Sequence, residues 1–338
     1  MKLLFITLML TMSLIGCDVN ANKVNKEGDN SNLYLSKMSD ILTSQNEEEK
    51  RDYFDKIMME AERGNSVAQN LMGVIFENGY FNQEKDIKKA IYWYNKAVDN
   101  NGLAENNMSG LYAYGNGVKQ DYKKAYEYYE SAMKKNIPEA INSIGFMYFN
   151  GFYLRQDYKK ACEYYEKSAD LGYYPAQSNL ANCYSNGWNG PVNQKNFFEY
   201  SLKAAQQGSI SSQFNVAAAF QRGIGVDKSI PDAIVWYKRA LDGDDSRAAF
   251  NLGVIYENGN GVEQDINIAY AYFYLAKELG LDIAQEKLDK LTTKVNKENI
   301  RILKNEGSIQ IAVDQPDEKW KVYDEEEVGG LENLQKKK

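Results

Sequence analysis

Ala248-Ala249-Phe250-Asn251-Leu252-Gly253-Val254-Ile255-Tyr256-Glu257-Asn258-Gly259-Asn260-Gly261-Val262-Glu263-Gln264-Asp265 decides the fold, because its pattern recurs along the chain. Moving upstream by 36 residues from Ala248 lands in turn on Ser212, Ala176, Ala140, Ala104 and Ala68, and one step downstream lands on Ala284. A fixed period of this size is the mark of stacked supersecondary units. Eight residues after each anchor stands an aromatic ring (Phe76, Tyr112, Tyr148, Tyr184, Phe220, Tyr256). Eleven after it stands Gly (Gly79, Gly115, Gly151, Gly187, Gly223, Gly259). Anchor, ring and the apolar positions between them fall on one face of a helix, and Gly is the residue that ends one. A second amphipathic run follows, as in Asp121 to Ala132, so each unit reads as a helix, a Gly-rich turn and a second helix.

Leu252, Gly253, Tyr256, Gly259, Gly261, Val262, Asp265 and Ala269 form a pattern that closely resembles the Sel-1-like repeat, a relative of the tetratricopeptide repeat. The resemblance implies an all-α, right-handed α-solenoid of about six 36-residue helix-turn-helix repeats, complete over residues 68–283 and closed by half-repeat caps. Three departures are local: Ser109 replaces the first Gly in the second copy, the first copy is shifted by one residue near Lys85, and Asn196-Phe197 stands where Lys-Ala is usual.

The ends depart from the repeat. Met1 to Gly16 has an early Lys and then an apolar run too short for a comfortable membrane span, and reads as a secretory signal. Leu14-Ile15-Gly16-Cys17 resembles a bacterial lipobox, which implies cleavage before Cys17 and acylation of its thiol. Asp18 favours retention at the inner membrane by the enteric sorting rule, with the outer membrane as the alternative. Residues 17–46 are expected to hold the lipidated Cys and a flexible tether, and Glu47 to Gly64 a lone cap helix. The solenoid with its caps is expected over 47–305, its closing element a short helix at Lys297 to Lys304. Residues 306–338 read as a charged tail: Ser308 to Val313 alternates weakly like a strand, and Trp320 and Tyr323 would anchor the tail if it docked.

Composition restricts the chemistry. The chain has no His, which removes Ser-His-Asp and Cys-His hydrolases and His-ligated metals. After Cys17 only Cys162 and Cys183 remain, too few for a thiolate zinc site, and no metal or other cofactor is expected. The net charge of −7 argues against nucleic acid as a partner. Ser131-Ala-Met-Lys134 matches the acylating motif of penicillin-binding enzymes, but its column is basic in the other copies and no Lys-Thr-Gly accompanies it, so it reads as chance on an exposed helix position. Cys162 and Cys183 lie in columns that are apolar in every copy. They are either small core residues or, facing each other across the Tyr173-Tyr174 turn, a disulfide of an oxidising compartment. The cysteine-rich repeat subfamily places its pairs differently, and those slots here hold Ala169 and Pro175 or Ala176, so its β-lactam binding does not carry over.

Positions two, six and nine after each anchor point away from the core stripe, and in this architecture that face lines the concave groove. Their composition varies from copy to copy: Asn142, Phe146 and Phe149, then Asn182, then Phe214, then Phe250. The four Phe are the kind of residue that anchors a partner, unless a loop or the tail covers them. The Asn column three after the anchor (Asn107, Asn179, Asn215, Asn251) is expected to hold turn backbone. Trp188, in the turn of the fourth copy, calls for something to pack on it. The resemblance implies a non-catalytic protein binder at the bacterial cell envelope, lipid-anchored and facing the periplasm, with no small-molecule substrate. It also implies two roles: an immunity protein that neutralises a toxic effector, or a scaffold for envelope assembly, signalling or host interaction. A β-lactam or peptidoglycan enzyme is a third reading.

Overall fold

The computed structural model describes residues 31–295, 300–305, 308–315 and 318–322. Cys17, Asp18, the signal segment and Tyr323 lie outside the described residues. Among the described residues there are fifteen helices and three strands. Helices α1 (Ser31–Thr43) and α2 (Glu47–Glu62) precede six pairs: α3 (Ser66–Asn78) with α4 (Ile87–Ala97), α5 (Gly102–Tyr114) with α6 (Tyr122–Lys134), and α7 (Pro138–Asn150) with α8 (Tyr158–Asp170), followed by α9 (Tyr174–Asn186) with α10 (Gln194–Gln206), α11 (Ile210–Arg222) with α12 (Ile230–Asp242), and α13 (Ser246–Asn258) with α14 (Ile266–Glu278). Helix α15 (Ala284–Leu291) and strands β1 (Ile300–Asn305), β2 (Ser308–Gln315) and β3 (Glu318–Val322) follow. The fold is an all-α solenoid of six repeats with a small sheet appended. The described residues divide into two compact units, one reaching from residue 31 to 180 with 188–190, the other holding 181–187 and the described residues from 191 to 322.

The repeat pattern becomes geometry through three contacts. At the end of the first helix, Gly259 takes φ 65° and its N–H donates to the Ile255 carbonyl, as Gly79 and Gly151 do to Ile75 and Met147. The turn is then pinned from the other side: the N–H of Asp265 donates to the carbonyl of Tyr256 at 3.1 Å, while its carboxylate caps α14. Asp121 and Asp157 repeat both bonds. Finally, the aromatic of the first helix stacks on one of the second, Tyr112 on Tyr128, Tyr148 on Tyr164 and Tyr256 on Tyr272, with centroids 5.5–5.8 Å apart.

In the first unit, the core built on Ile57, Leu71, Ile75, Trp93 and Met108 extends back to Met38 and Ile41 of α1. Residues 31–43 are therefore a packed helix where a tether was expected, and the single-helix cap is a pair. Met38, Ile41 and Leu42 recur at helical spacing, and Ile41 is only 4% exposed, but the Ser and Asn around them read as a linker. In the second unit, a core centred on Trp236, Tyr237, Leu252 and Phe273 runs through Leu288 and Leu291 to Ile311 of β2.

The C-terminal end differs from expectation as well. The strands form a three-stranded antiparallel sheet of order β1-β2-β3, with Ile300 opposite Val313 and Asn305 opposite Ser308, lying against α12 and α14. The helix expected at Lys297 to Lys304 is replaced by β1, and the expected tail is ordered as β2 and β3 through Val322, with Trp320 in β3. Ile300 and Ile302 alternate with Arg301, but so short a run does not separate a period of two from one of 3.6.

Candidate functional site

The face away from the core stripe carries a ladder of amides in the first unit. Asn107 donates to Asn70, and Asn179 donates to Asn142, each at 2.9 Å. The Asn column thus bonds the amide of the preceding copy rather than turn backbone, and Asn142 is held in place by it. In the second unit Asn251 donates instead to the Tyr237 hydroxyl at 2.9 Å.

Aromatic side chains gather on the first unit. Where the turn is Gly-x-Gly, its second Gly lies directly over the first residue of the preceding second helix: a Cβ on Gly117 would come within 2.5 Å of Ile87. The third and fourth copies put rings in that place. Phe152 stacks on Tyr122 at 4.9 Å, and Trp188 stacks on Tyr158 at 5.5 Å while meeting Phe149 edge-on at 4.9 Å. Trp188 has an intramolecular reason to be there, and Phe149 is half-buried beneath it. Tyr153, beside Phe152, sits at φ 61°, which strains a non-Gly residue by about 1–2 kcal/mol. Its ring is 52% exposed. Phe146 remains 45% exposed, 6.0 Å from Phe152, and Tyr114 at the end of α5 is 79% exposed.

In the second unit the anchors are more covered. Phe214 packs on Tyr237 at 5.6 Å, and the Arg247 guanidinium, itself paired with Asp245 at 2.6 Å, lies 4.2 Å over its ring. Phe250 meets Phe273 edge-on at 5.3 Å. Asn182 is exposed, and its backbone carbonyl accepts the Asn186 amide at 2.8 Å. Of the four Phe singled out from sequence, Phe146 is the open one.

The acid–base groups are structural. Ser131 is half-buried and donates to the buried carboxylate of Glu105, not to solvent as the pattern suggested. Lys134 points away to Glu130 at 3.7 Å. Lys135 is the cation that meets Glu105, at 3.0 Å, and it also donates to the carbonyls of Val98 and Asp99 at 3.1 and 3.2 Å. Burial pushes the Tyr129 and Tyr237 hydroxyls up to about 12, so both stay neutral, and Tyr237 donates to Gln221 at 2.8 Å. Cys162 is buried and disulfide-bonded, and so is Cys183. Among the described residues no three His, Cys, Asp or Glu gather in a way that could hold a metal ion, and no helix is long and apolar enough to cross a membrane.

The sequence signal for Tyr114 and Tyr153 is their column: Tyr114 stands where four other copies have Asn, and Tyr153 where Gly117, Gly225, Gly261 and Asn189 stand.

The chain is similar in structure to a protective antigen present in uropathogenic Escherichia coli strains that displays an SLR fold, with 24% identity and a TM-score of 0.65 over 80% of this chain. It spans 61% of that antigen's length. It is also similar to a Sel1 repeat protein from Oxalobacter formigenes, at 26% identity and a TM-score of 0.62, over 69% of this chain and 99% of the other. An immunity protein from Pseudomonas aeruginosa is a looser likeness, 21% identical with a TM-score of 0.38 over 57% of this chain and 75% of the other, and carries nothing about role. No curated protein is similar to the chain in sequence. The Sel1 repeat model matches residues 66–102, 102–136, 138–173, 175–209, 210–245 and 246–281, well over half of the chain, and the chain belongs to the Sel1 repeat family.

Proposed function

We propose that this protein is a lipid-anchored, periplasm-facing binding protein that takes a partner protein on the first-helix face of its repeats and performs no catalysis. A Sel1 repeat array is suited to protein–protein interaction, and the observation that carries the reading is Phe146, 45% exposed beside the strained, 52% exposed Tyr153. Exposed aromatics that a monomer gains nothing from exposing are what interfaces use as anchors. The disulfide-bonded state of Cys162 and Cys183 supports an oxidising compartment, as the lipobox at Cys17 does. The partner we favour is a toxic effector acting at the membrane, which makes the protein an immunity factor. An envelope scaffold would use the same face, and the identity of the partner separates the two.

The test is a pull-down from membranes with the intact chain and with Tyr114→Asp/Phe146→Asp, bound proteins being identified by mass spectrometry. Both substitutions fall on exposed rings, so circular dichroism is expected to be unchanged. The intact chain should retain one protein that the double variant loses. Equal capture by both forms would refute this face as the site. Anchoring is read separately: an alkyne-tagged fatty acid should label the wild type and not Cys17→Ala.

A further inference from the structure

Two columns of the repeat have a local hydrogen-bonding task, the first in four copies and the second in three, and the fifth copy is the one that puts a cation in both, Lys85 of the first copy being the other cation in the second column. At the last residue of the first helix, Asn78, Asn150, Asn186 and Asn258 donate their side-chain amide to the carbonyl four residues earlier, at 2.8–2.9 Å. The fifth copy has Arg222 there. Just before the second-helix cap, Gln120, Gln156 and Gln264 donate to the carbonyls of Ala113, Phe149 and Glu257, at 2.7–2.8 Å. The fifth copy has Lys228 there.

Both replacements line one open cavity of about 600 Å³, with Phe250, Ile230, Val254 and Asn251 among its other walls. No carboxylate lines it among the described residues. The neighbouring cations are spoken for: Arg247 pairs with Asp245 at 2.6 Å and Lys287 with Glu257. Arg222 and Lys228 are exposed and pair with no carboxylate among the described residues. The negative end of α11 makes a cation acceptable at position 222, but it does not account for a second one in the turn beyond. In a chain of net charge −7, a cavity with two cations, no acid and the Phe250 ring is complementary to an acidic, apolar segment.

We propose that this cavity receives an acidic segment of the partner protein, a carboxylate seated between Arg222 and Lys228 and an apolar side chain against Phe250. This rests on the protein-binding reading above and deepens it.

The variant that tests it is Arg222→Asn/Lys228→Gln, which introduces the residues that do the local hydrogen bonding in four and three other copies respectively and so should fold at least as well. The probe is a short fluorescein-labelled peptide alternating Glu with Leu and Phe, read by fluorescence anisotropy, beside a copy with Gln in place of Glu. The acidic peptide is expected to bind the wild type, and its affinity to fall about tenfold or more in the double variant and on raising salt from about 0.05 to about 0.5 M. The Gln peptide should bind no better to the wild type than to the variant. Equal binding of the acidic peptide to both proteins, or of both peptides to the wild type, overturns the proposal, as does no binding up to about 1 mM. In the membrane pull-down, a partner lost by Tyr114→Asp/Phe146→Asp but kept at full strength by Arg222→Asn/Lys228→Gln would sink the acidic-segment reading while leaving the binding face standing.

Discussion

The same substitution, Gly to Ala inside a first helix, should have opposite signs in two copies. In an unobstructed helix it stabilises by about 0.5–1 kcal/mol, because Ala loses less backbone freedom on folding. Gly110 of α5 meets that condition: a Cβ there would have nothing within 4 Å. Gly253 of α13 does not, since a Cβ would come within 2.8 Å of two atoms of the Phe273 ring, which is 0% exposed. Carbon atoms pack at about 3.5–4.0 Å, so the ring would have to retreat by about 0.7 Å or more into a filled core. Overpacking of that kind costs about 1–3 kcal/mol and exceeds the propensity gain. Gly110→Ala should therefore raise the urea midpoint, and Gly253→Ala should lower it by the equivalent of about 1 kcal/mol, both followed by far-UV circular dichroism with the slope checked for constancy. Two midpoints moving in the same direction would refute the account of why Gly is kept at 253, five residues after its anchor, whereas Gly110, six after its own, is open.

Lys135→Met should destabilise by about 2 kcal/mol, because it strands the Glu105 carboxylate, whose side chain is 7% exposed, and frees two helix-end carbonyls. Adding Glu105→Gln should recover part of that loss, and a double-mutant cycle by urea unfolding that shows no coupling would contradict the pairing. Stability should also be level from neutral pH to about pH 10 and fall above it. The folded-state pKa of Tyr237 is raised to about 12 by burial, so the unfolded chain loses that proton first and folding weakens as pH climbs between the two values. Urea midpoints across pH 8–12 read this, and Tyr237→Phe should flatten the decline by about its share.

The repeat core was legible because the same physical tasks recur in most copies. A ring that stacks, a small residue that lets an aromatic close on the helix and a short polar side chain that caps the next one recur at a fixed interval, as with Gly73, Gly145 and Gly253 against Tyr94, Tyr165 and Phe273. The ends were less legible because they are single copies. Nothing repeats to show that Met38 and Ile41 face a core, and the alternation in β1 is too short to be told from a helix turn. The site was legible in part. Phe146 is open, whereas Phe149 and Phe214 are covered, and helix phase alone leaves both outcomes possible. What covers them comes from elsewhere in the chain: Trp188 from a turn, and Arg247 from the start of a later helix.

That contrast gives a rule for finding function in such an array. A column whose residue has a task in most copies reports function where one copy gives the task up. Tyr114 stands where Asn otherwise bonds the helix end, Tyr153 holds a left-handed φ of 61° that Gly117 and Gly225 hold without strain, and Arg222 and Lys228 replace two bonding amides in one copy. Each departure forgoes a local hydrogen bond or accepts strain, and each leaves a side chain exposed. Drift alone would scatter such departures over the convex helices as readily. Here Tyr114 and Arg222 end first helices, and Tyr153 and Lys228 lie in the turns that follow first helices, so within each unit these departures fall on the face proposed above for a partner. If restoring the consensus at Tyr153 and at Arg222 with Lys228 left partner capture untouched, this logic would fail for the whole family of positions and not for one residue.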